Sequence, residues 1–268
     1  MRPAGASDRL HGLVKSPAPK LRLIGHPMRR TALLLLMCVA WAAPGAALAR
    51  RPIADKTPVV VELFTAQGCS SCGKANGYIT ELAERPNIIA LTWPVDYWDY
   101  LGWKDTFAKP EFTDRQRAYE RRLGVRDVYT PQVVVDGAAQ ASGVKLETVE
   151  KLIHEARRAP YDPPDMKVLS NGKVAVGSGR TPRGGGDVWL VRYDPREQEV
   201  EVKAGDARGQ VVPHRNVVRQ IARLGPWNGR PVLYRAPSPS EDGLETVILV
   251  QAKGGRVLGV LKVAPPAT

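Results

Sequence analysis

The stretch from Val59 to Lys74, Val-Val-Val-Glu-Leu-Phe-Thr-Ala-Gln-Gly-Cys-Ser-Ser-Cys-Gly-Lys, constrains the fold more than any other. Val59 to Phe64 is short, rich in β-branched residues and almost uninterrupted in its hydrophobicity, the pattern of a strand covered on both faces. Gln67-Gly68 breaks the run. Beyond Cys69 the residues from Ser70 through Ile79, Leu82 and Ala83 to Arg85 suit a helix, so the cysteine pair is expected where a strand hands over to a helix. A thiol at a helix N-terminus faces unpaired backbone N–H groups and the positive end of the dipole, which favours the thiolate. Cys69 is therefore the expected nucleophile. Cys72, one turn further in, is expected to resolve a mixed disulfide formed on Cys69.

The formal charge of +12 over 268 residues invites a nucleic-acid reading until it is apportioned. Met1 to Ala49 holds seven Lys or Arg against one Asp, so the remainder carries 32 basic and 26 acidic side chains, a net +6. No basic run with interleaved aromatics stands out, which argues for a solvated surface and against nucleic-acid binding. The N-terminal excess reads as targeting. Met28-Arg-Arg is a short basic start, Leu33 to Ala43 an apolar core, and Ala47-Leu-Ala49 a small-residue cleavage site. Residues 1–49 are thus expected to be an N-terminal extension and signal peptide, with Met28 as the suspected true start. The strongly apolar core favours ordinary secretion over the twin-arginine route that Arg29-Arg30 raises. Cys38 reads as part of the discarded signal, because Met37 before it is too large for lipid-anchor processing. The mature protein is expected to be periplasmic or secreted, with no stable membrane insertion. It keeps two of the three cysteines. A bond between them closes so small a loop that it constrains the unfolded chain little, which argues against pure stapling.

Asn87 to Asp96 reads as a second buried strand, and strand, helix, strand at this spacing implies a right-handed parallel crossover. The next segment, Asp96-Tyr-Trp-Asp-Tyr-Leu-Gly-Trp-Lys-Asp105, is dense in aromatics and acids; three of the six tryptophans lie between Trp93 and Trp103. Loops leaving the carboxyl ends of strands line the functional edge of an open α/β sheet, so Asp96, Tyr97, Trp98 and Trp103 are candidate substrate-binding residues beside Cys69. Core packing under a long loop is the competing reading, weighed against the cost of burying Asp96, Asp99 and Asp105 unpaired. Phe112 to Leu123 is expected to be a helix with Thr113 as N-cap and Gly124 as stop. Its Arg115, Arg117, Arg121 and Arg122 read as a solvated face, with an Arg115 pair to a loop aspartate as the alternative. Tyr129-Thr-Pro precedes a strand, and Asp136-Gly137 signals a tight hairpin returning through Ala138 to Ser142. Thr130 and Pro131 are candidates too, since a cis peptide before a strand is a device for presenting backbone next to a site. Val144 to Arg158 closes the unit as an amphipathic helix, with Leu146, Val149, Leu152, Ile153 and Ala156 on one side.

The resulting order β-α-β-α-β-β-α, with the cysteine pair at the first strand–helix junction and Pro131 62 residues beyond Cys69, resembles the thioredoxin fold. More narrowly, Val61-Glu-Leu-Phe-Thr-Ala-Gln-Gly-Cys-Ser-Ser-Cys72, Val95-Asp-Tyr-Trp-Asp-Tyr-Leu-Gly-Trp-Lys-Asp105, Arg115-Gln-Arg-Ala-Tyr119 and Tyr129-Thr-Pro-Gln132 look like the secreted bacterial family called domain of unknown function 1223. That resemblance extends through Asn216-Val-Val-Arg219 and Leu224-Gly-Pro-Trp-Asn-Gly229 to about Lys262. The chain departs from the family pattern at Gly73-Lys-Ala-Asn76, where Pro-Pro-Ala-Asp is common, and at Pro94, where a His is common. The resemblance implies fold and export, and supplies no activity. Likeness to thioredoxin-like enzymes implies a buried acid in the strand before the cysteines that accepts a proton from the second thiol; Glu62 is the carboxylate there, its alternative being a salt-bridged glutamate. Lys74 either favours thiolate or points to water.

Tyr161 to Pro164 reads as a linker, which sets a thioredoxin-like domain at residues 55–160. Beyond it short alternating strands are expected at Met166 to Leu169, Lys173 to Gly177, Asp187 to Tyr193, Glu199 to Lys203, Gln210 to Arg223, Leu244 to Ala252 and Arg256 to Val263, an antiparallel β-sandwich over residues 165–268. His214 and Trp227 read as packed residues. The leading functional expectation is an exported thiol–disulfide oxidoreductase: Cys69 as nucleophile, Cys72 resolving, Glu62 and Pro131 assisting, no cofactor or metal, and protein thiols or disulfides of the periplasm as partners. The alternatives are a non-catalytic binding module of the cell envelope with a structural disulfide, and a Cu(I)-binding protein, for which the mature chain offers few further donors.

Overall fold

The first strand, β1 (Val59–Thr65), is buried at every residue and sends alternate side chains to opposite faces of a sheet. Val59, Val61 and Leu63 join an apolar cluster under two helices, whereas Val60 and Phe64 join a second cluster on the other face. The computed structural model describes residues 58–263; the expected signal segment, with Met28, Cys38 and the expected cleavage site at Ala47 to Ala49, lies outside them. The described residues all belong to one compact unit.

Helix α1 (Cys72–Ala83) leads to β2 (Ile88–Pro94), which pairs in parallel with β1 from Val59↔Ile88 to Thr65↔Pro94. A short 3-10 turn at Asp99–Leu101 precedes α2 (Pro110–Leu123). This helix starts earlier than expected. Pro110 occupies the first turn, where a missing N–H costs nothing, and Thr113 lies inside the helix. Gly124 ends it at φ 64° as expected. Strands β3 (Gln132–Val135) and β4 (Ala139–Ser142) form the expected hairpin, with Asp136 at φ 47° and Gly137 at φ 60° in a turn that demands left-handed residues. Helix α3 (Leu146–Arg158) then covers the α1 face through Val149 and Ile153.

The second half departs from the expected separate β-sandwich. Its strands are β5 (Met166–Val168), β6 (Lys173–Val176), β7 (Gly186–Asp194), β8 (Gln198–Glu201), β9 (Val211–His214), β10 (Val217–Trp227), β11 (Val232–Arg235), β12 (Glu245–Ala252) and β13 (Val257–Val263). Four of these extend the first sheet, giving the order β13-β12-β7-β10-β2-β1-β3-β4. The result is a mixed α/β fold with one large sheet and two smaller antiparallel ones, β11-β6-β5 and β8-β9. The junction lies at Asn216. The sequence Gln210 to Arg223 reads as one strand, but Asn216 at φ 51° breaks it. Its amide donates to Ala90 O at 2.8 Å, its carbonyl accepts from Thr92 N at 2.9 Å, and Thr92 Oγ1 donates to Arg215 O at 2.6 Å. These bonds turn the chain into β10, beside and parallel to β2. Across the other face of β7, β10 and β12, an apolar cluster of Val174, Val176, Trp227, Tyr234, Ile248 and Val250 joins the three-stranded sheet to the large one.

Gly137 ties the first half to the second. A Cβ there would lie 2.0 Å from Gly255 O in the β12–β13 turn, so Gly137→Ala combines a left-handed backbone with a backbone clash. We expect it to lower unfolding free energy by about 2 kcal/mol or more, read as a reduced urea midpoint; an unchanged midpoint contradicts the packing described.

Candidate functional site

Because β1 and β2 run in parallel, the loops leaving their C-terminal ends emerge at one edge of the sheet. Phe64 of β1 faces Gln132 of antiparallel β3, which brings Thr130 and Pro131 to the same edge. The Thr130–Pro131 peptide is cis. Gly143 is wedged between Pro131 and Ala75 of α1: a Cβ there would lie 3.0 Å from Pro131 Cβ and 2.9 Å from Ala75 Cβ. Ala75 is one turn beyond Cys72, so the cysteine-bearing helix and the Thr-Pro segment meet here, as their order in the sequence implied.

Cys69 and Cys72 form a disulfide, with Cα atoms 5.4 Å apart. The pair departs from expectation in two ways. Helix α1 begins at Cys72, with Ser71 at its N-cap, so Cys69 sits in the turn before the helix; its carbonyl accepts from Cys72 N at 3.0 Å. The cysteines are also turned inward. Cys69 is 1% exposed and Cys72 fully buried, both in the apolar cluster of Phe64 and Trp93, while Ser70 and Ser71 between them face water. Lys74 is exposed.

A residue that the sequence did not mark holds this turn. Gln67 is fully buried, and its backbone N–H donates to Asp105 Oδ2 at 2.7 Å. Its side-chain oxygen accepts from Trp103 Nε1 at 2.9 Å and from Thr106 N at 3.2 Å, and its amide donates to Thr106 Oγ1 at 2.8 Å. The other Asp105 oxygen accepts from the backbone of Phe107 and Ala108. Burial raises the Asp105 pKa above the usual carboxylate range, with these amide bonds opposing it. The aromatic segment is thereby braced against the cysteine loop. The one available signal was Gln67 itself, a polar residue ending an apolar strand.

The other candidates on this segment have distinct surroundings. Asp96 accepts from Thr113 Oγ1 at 2.6 Å, so it is occupied by α2. The Tyr97 phenol lies beside Gln116 and Thr130, and burial pushes its pKa up to about 12. Among the described residues, none is within hydrogen-bond geometry of its hydroxyl, of Gln116 Oε1 or of Thr130 Oγ1. Trp98 is half-buried and packs on the cysteine cluster. Tyr100 at the crest is 82% exposed.

Glu62 is not engaged with the thiols. It is fully buried, and among the described residues its hydrogen-bond partners are Arg115 Nε at 2.6 Å and the Tyr119 hydroxyl. Arg115 also donates to Tyr119 Oη at 3.0 Å, and Gln251 Nε2 of β12 donates to the same oxygen at 2.8 Å. The guanidinium stacks 4.9 Å from the Trp93 ring. Burial opposes the charge on Arg115, but the Glu62 carboxylate outweighs it and raises the pKa. The expectation that Arg115 belongs to a solvated face is corrected: it neutralises a buried acid that position in the sequence could not pair.

The tip of the β8–β9 hairpin reaches this same edge, where Gly205 lies against Leu101 and Gly68. Val202, Ala207 and Val212 form a small cluster against Trp103, and β9 packs on α1. His214 at the base is fully buried, as expected of a packed residue, with Nδ1 3.0 Å from Val212 O and its ring 5.3 Å from that of Phe107. Trp227 is likewise buried and donates to Gly177 O at 3.0 Å. Among the described residues no cluster of three or more His, Cys, Asp and Glu could hold a metal, and no helix is long and apolar enough to cross a membrane.

Comparison with known proteins gives a family and a structural likeness. The family model described as "Protein of unknown function (DUF1223)" matches residues 60–251. A crystal structure of an Agrobacterium tumefaciens protein is similar at 28% identity and TM-score 0.64, covering 79% of this chain and 96% of that one. HBP35 of Porphyromonas gingivalis aligns at 13% identity and TM-score 0.49, covering 80% of this chain and 78% of that one. No curated protein matches.

Burial lowers the His214 pKa to about 4. The unfolded imidazole takes up its proton first on acidification, so the stability that neutral His214 provides above pH 6.5 is lost progressively towards pH 4, by roughly 3 kcal/mol in all. Buried Asp136, raised to about 6, works in the opposite sense, losing stability as pH rises through that range. Comparing wild type with His214→Gln in urea titrations at pH 7 and pH 4.5 isolates the histidine. The wild type should lose more stability between the two; equal losses contradict a buried neutral imidazole.

Proposed function

We propose that this chain, which belongs to the DUF1223 family of proteins of unknown function, is an exported thiol–disulfide oxidoreductase in which Cys69 and Cys72 are the redox pair. The reading treats the β1–α1–β2–α2–β3–β4–α3 portion as thioredoxin-like, consistent with the strand order β2-β1-β3-β4, with β1 and β2 parallel and β3 and β4 antiparallel to their neighbours. The observation that carries it is the meeting of the disulfide, Pro131 and the aromatic segment at one sheet edge. In the exchange, a thiolate of a periplasmic protein dithiol attacks Cys69 Sγ and Cys72 leaves as thiolate. The partner's second thiol then attacks the mixed disulfide, releasing Cys69 as thiolate, so that two electrons reduce the pair while the partner is oxidised. Run in reverse, with Cys69 attacking a partner disulfide and Cys72 resolving, the sequence reduces the partner and re-forms the Cys69–Cys72 disulfide. Location in the periplasm or medium rests on the signal-like segment of the sequence.

Glu62 has no part in this scheme as proton acceptor, because Arg115 and Tyr119 occupy it. A second reading, a binding module with a structural disulfide, draws on the burial of both cysteines. The two separate on reduction potential and on alkylation of the reduced protein. A redox pair should equilibrate with dithiol buffers above about −300 mV, and Cys69 should alkylate faster than Cys72. A potential below that value with equal, slow alkylation contradicts the redox reading and favours the structural one.

A further inference from the structure

Exchange requires a partner sulfur to reach Cys69 Sγ, yet Cys69 is 1% exposed and Cys72 not at all. Something at the edge has to move. The aromatic segment is held to the cysteine loop by the Gln67 and Asp105 hydrogen bonds. The β8–β9 hairpin is held differently. Among the described residues its two four-residue strands pair only with each other, and its tip docks through Val202 and Ala207 on Trp103. Gly205, at φ 79°, lies against the cover itself: a Cβ there would be 3.7 Å from Leu101 Cβ and 3.8 Å from Gly68 O, next to Cys69. The tip is also a self-contained unit. Val202 N donates to Gln210 O at 2.9 Å, Gly209 N to Val202 O at 2.7 Å and Gln210 N to Ala207 O at 3.0 Å, so it can lift as one body without breaking its own bonds. Its base is anchored by buried His214 and by an ion pair from Arg215 to Glu84, the residue that caps the C-terminal end of α1.

We propose that the tip from Val202 to Gln210 is a latch that keeps the Cys69–Cys72 disulfide closed to partner thiols, and that it must lift off Leu101 and Trp103 before exchange begins. The proposal rests on the redox reading above for its purpose. Its physics is that of a low-stability element: few apolar contacts and glycines at 205 and 209, with hydrogen bonds into the main sheet made at the base, where Gln198 donates to Asp194 Oδ2 and accepts from Arg219 Nη2, both at 3.2 Å. Closed, it leaves the disulfide in apolar surroundings; open, it exposes the Cys69 side of the turn and the Trp103 face, onto which an incoming chain can pack.

The test is the rate at which dithiothreitol reduces the native full-length protein, followed by trapping and mass measurement. Each dithiothreitol contributes two electrons and leaves as its cyclic disulfide. Ala207→Asp puts a charge into the small cluster and favours the lifted state, so reduction should accelerate about tenfold or more, with each tenfold equal to ~1.4 kcal/mol in the opening equilibrium. Equal rates in a folded variant overturn the latch. Should the variant fail to fold, hydrogen exchange in the wild type decides: the amides of Val202, Gly209 and Gln210 should exchange at least tenfold faster than those of β1, and protection equal to β1 overturns the proposal. The redox reading is judged separately by the wild-type potential, so failure of the latch leaves that reading standing, and an inert, very reducing disulfide defeats the reading without altering the rate comparison.

Discussion

A carboxylate in the middle of the first buried strand is the constraint from which much of this structure follows. Glu62 has no access to water, and an unpaired buried charge costs several kcal/mol. The fold supplies Arg115 and Tyr119 from α2, and Gln251 from β12 completes the set through Tyr119. One network therefore joins β1, the helix covering it and a strand more than a hundred residues away. Its members sit among Trp93 and Trp189, whose rings lie 4.9 and 6.0 Å from the guanidinium carbon. Apolar replacements of similar volume could stabilise the core as well, so the network's contribution lies in registering α2 and β12 against β1.

The edge that carries the disulfide inherits this order. With α2 fixed, Thr113 holds Asp96 at the start of the aromatic segment, and Gln116 donates to Tyr129 O at 2.8 Å just before the Thr-Pro pair. The segment between is braced on Gln67 and Asp105, two residues whose polar atoms are almost all satisfied internally. The disulfide turn is thus rigid on its inner side. What remains free to move is the hairpin outside it, which belongs to the second half of the chain. That arrangement gives the strands beyond α3 a role at the site, not merely an appended one.

The sequence made some of this legible because the deciding signals are local. Asp136-Gly137 and Gly124 need left-handed backbone, and their identity announces it; the cysteine spacing and the Thr-Pro before β3 mark the edge. Other features depend on partners distant in the chain. Nothing near Arg115 in sequence discloses Glu62, so a guanidinium on a helix rich in arginine reads as solvated. Likewise β10 reads as part of a separate antiparallel body, because only the left-handed turn at Asn216 and its bonds to β2 carry it into the first sheet. The burial of the sulfurs was hidden for the same reason: Trp103 and Ala207 lie a hundred residues apart, and neither pattern reveals that they touch.

The most direct measurement is a double-mutant cycle on Glu62→Gln and Arg115→Met, with unfolding free energies from urea titration and the pH dependence of reduced-thiol alkylation recorded for each variant. A keystone ion pair gives a coupling energy of about 2 kcal/mol or more, and a thiol profile that does not shift with Glu62→Gln. Negligible coupling, together with a thiol profile displaced by the loss of the carboxylate, contradicts the account and returns Glu62 to the redox site.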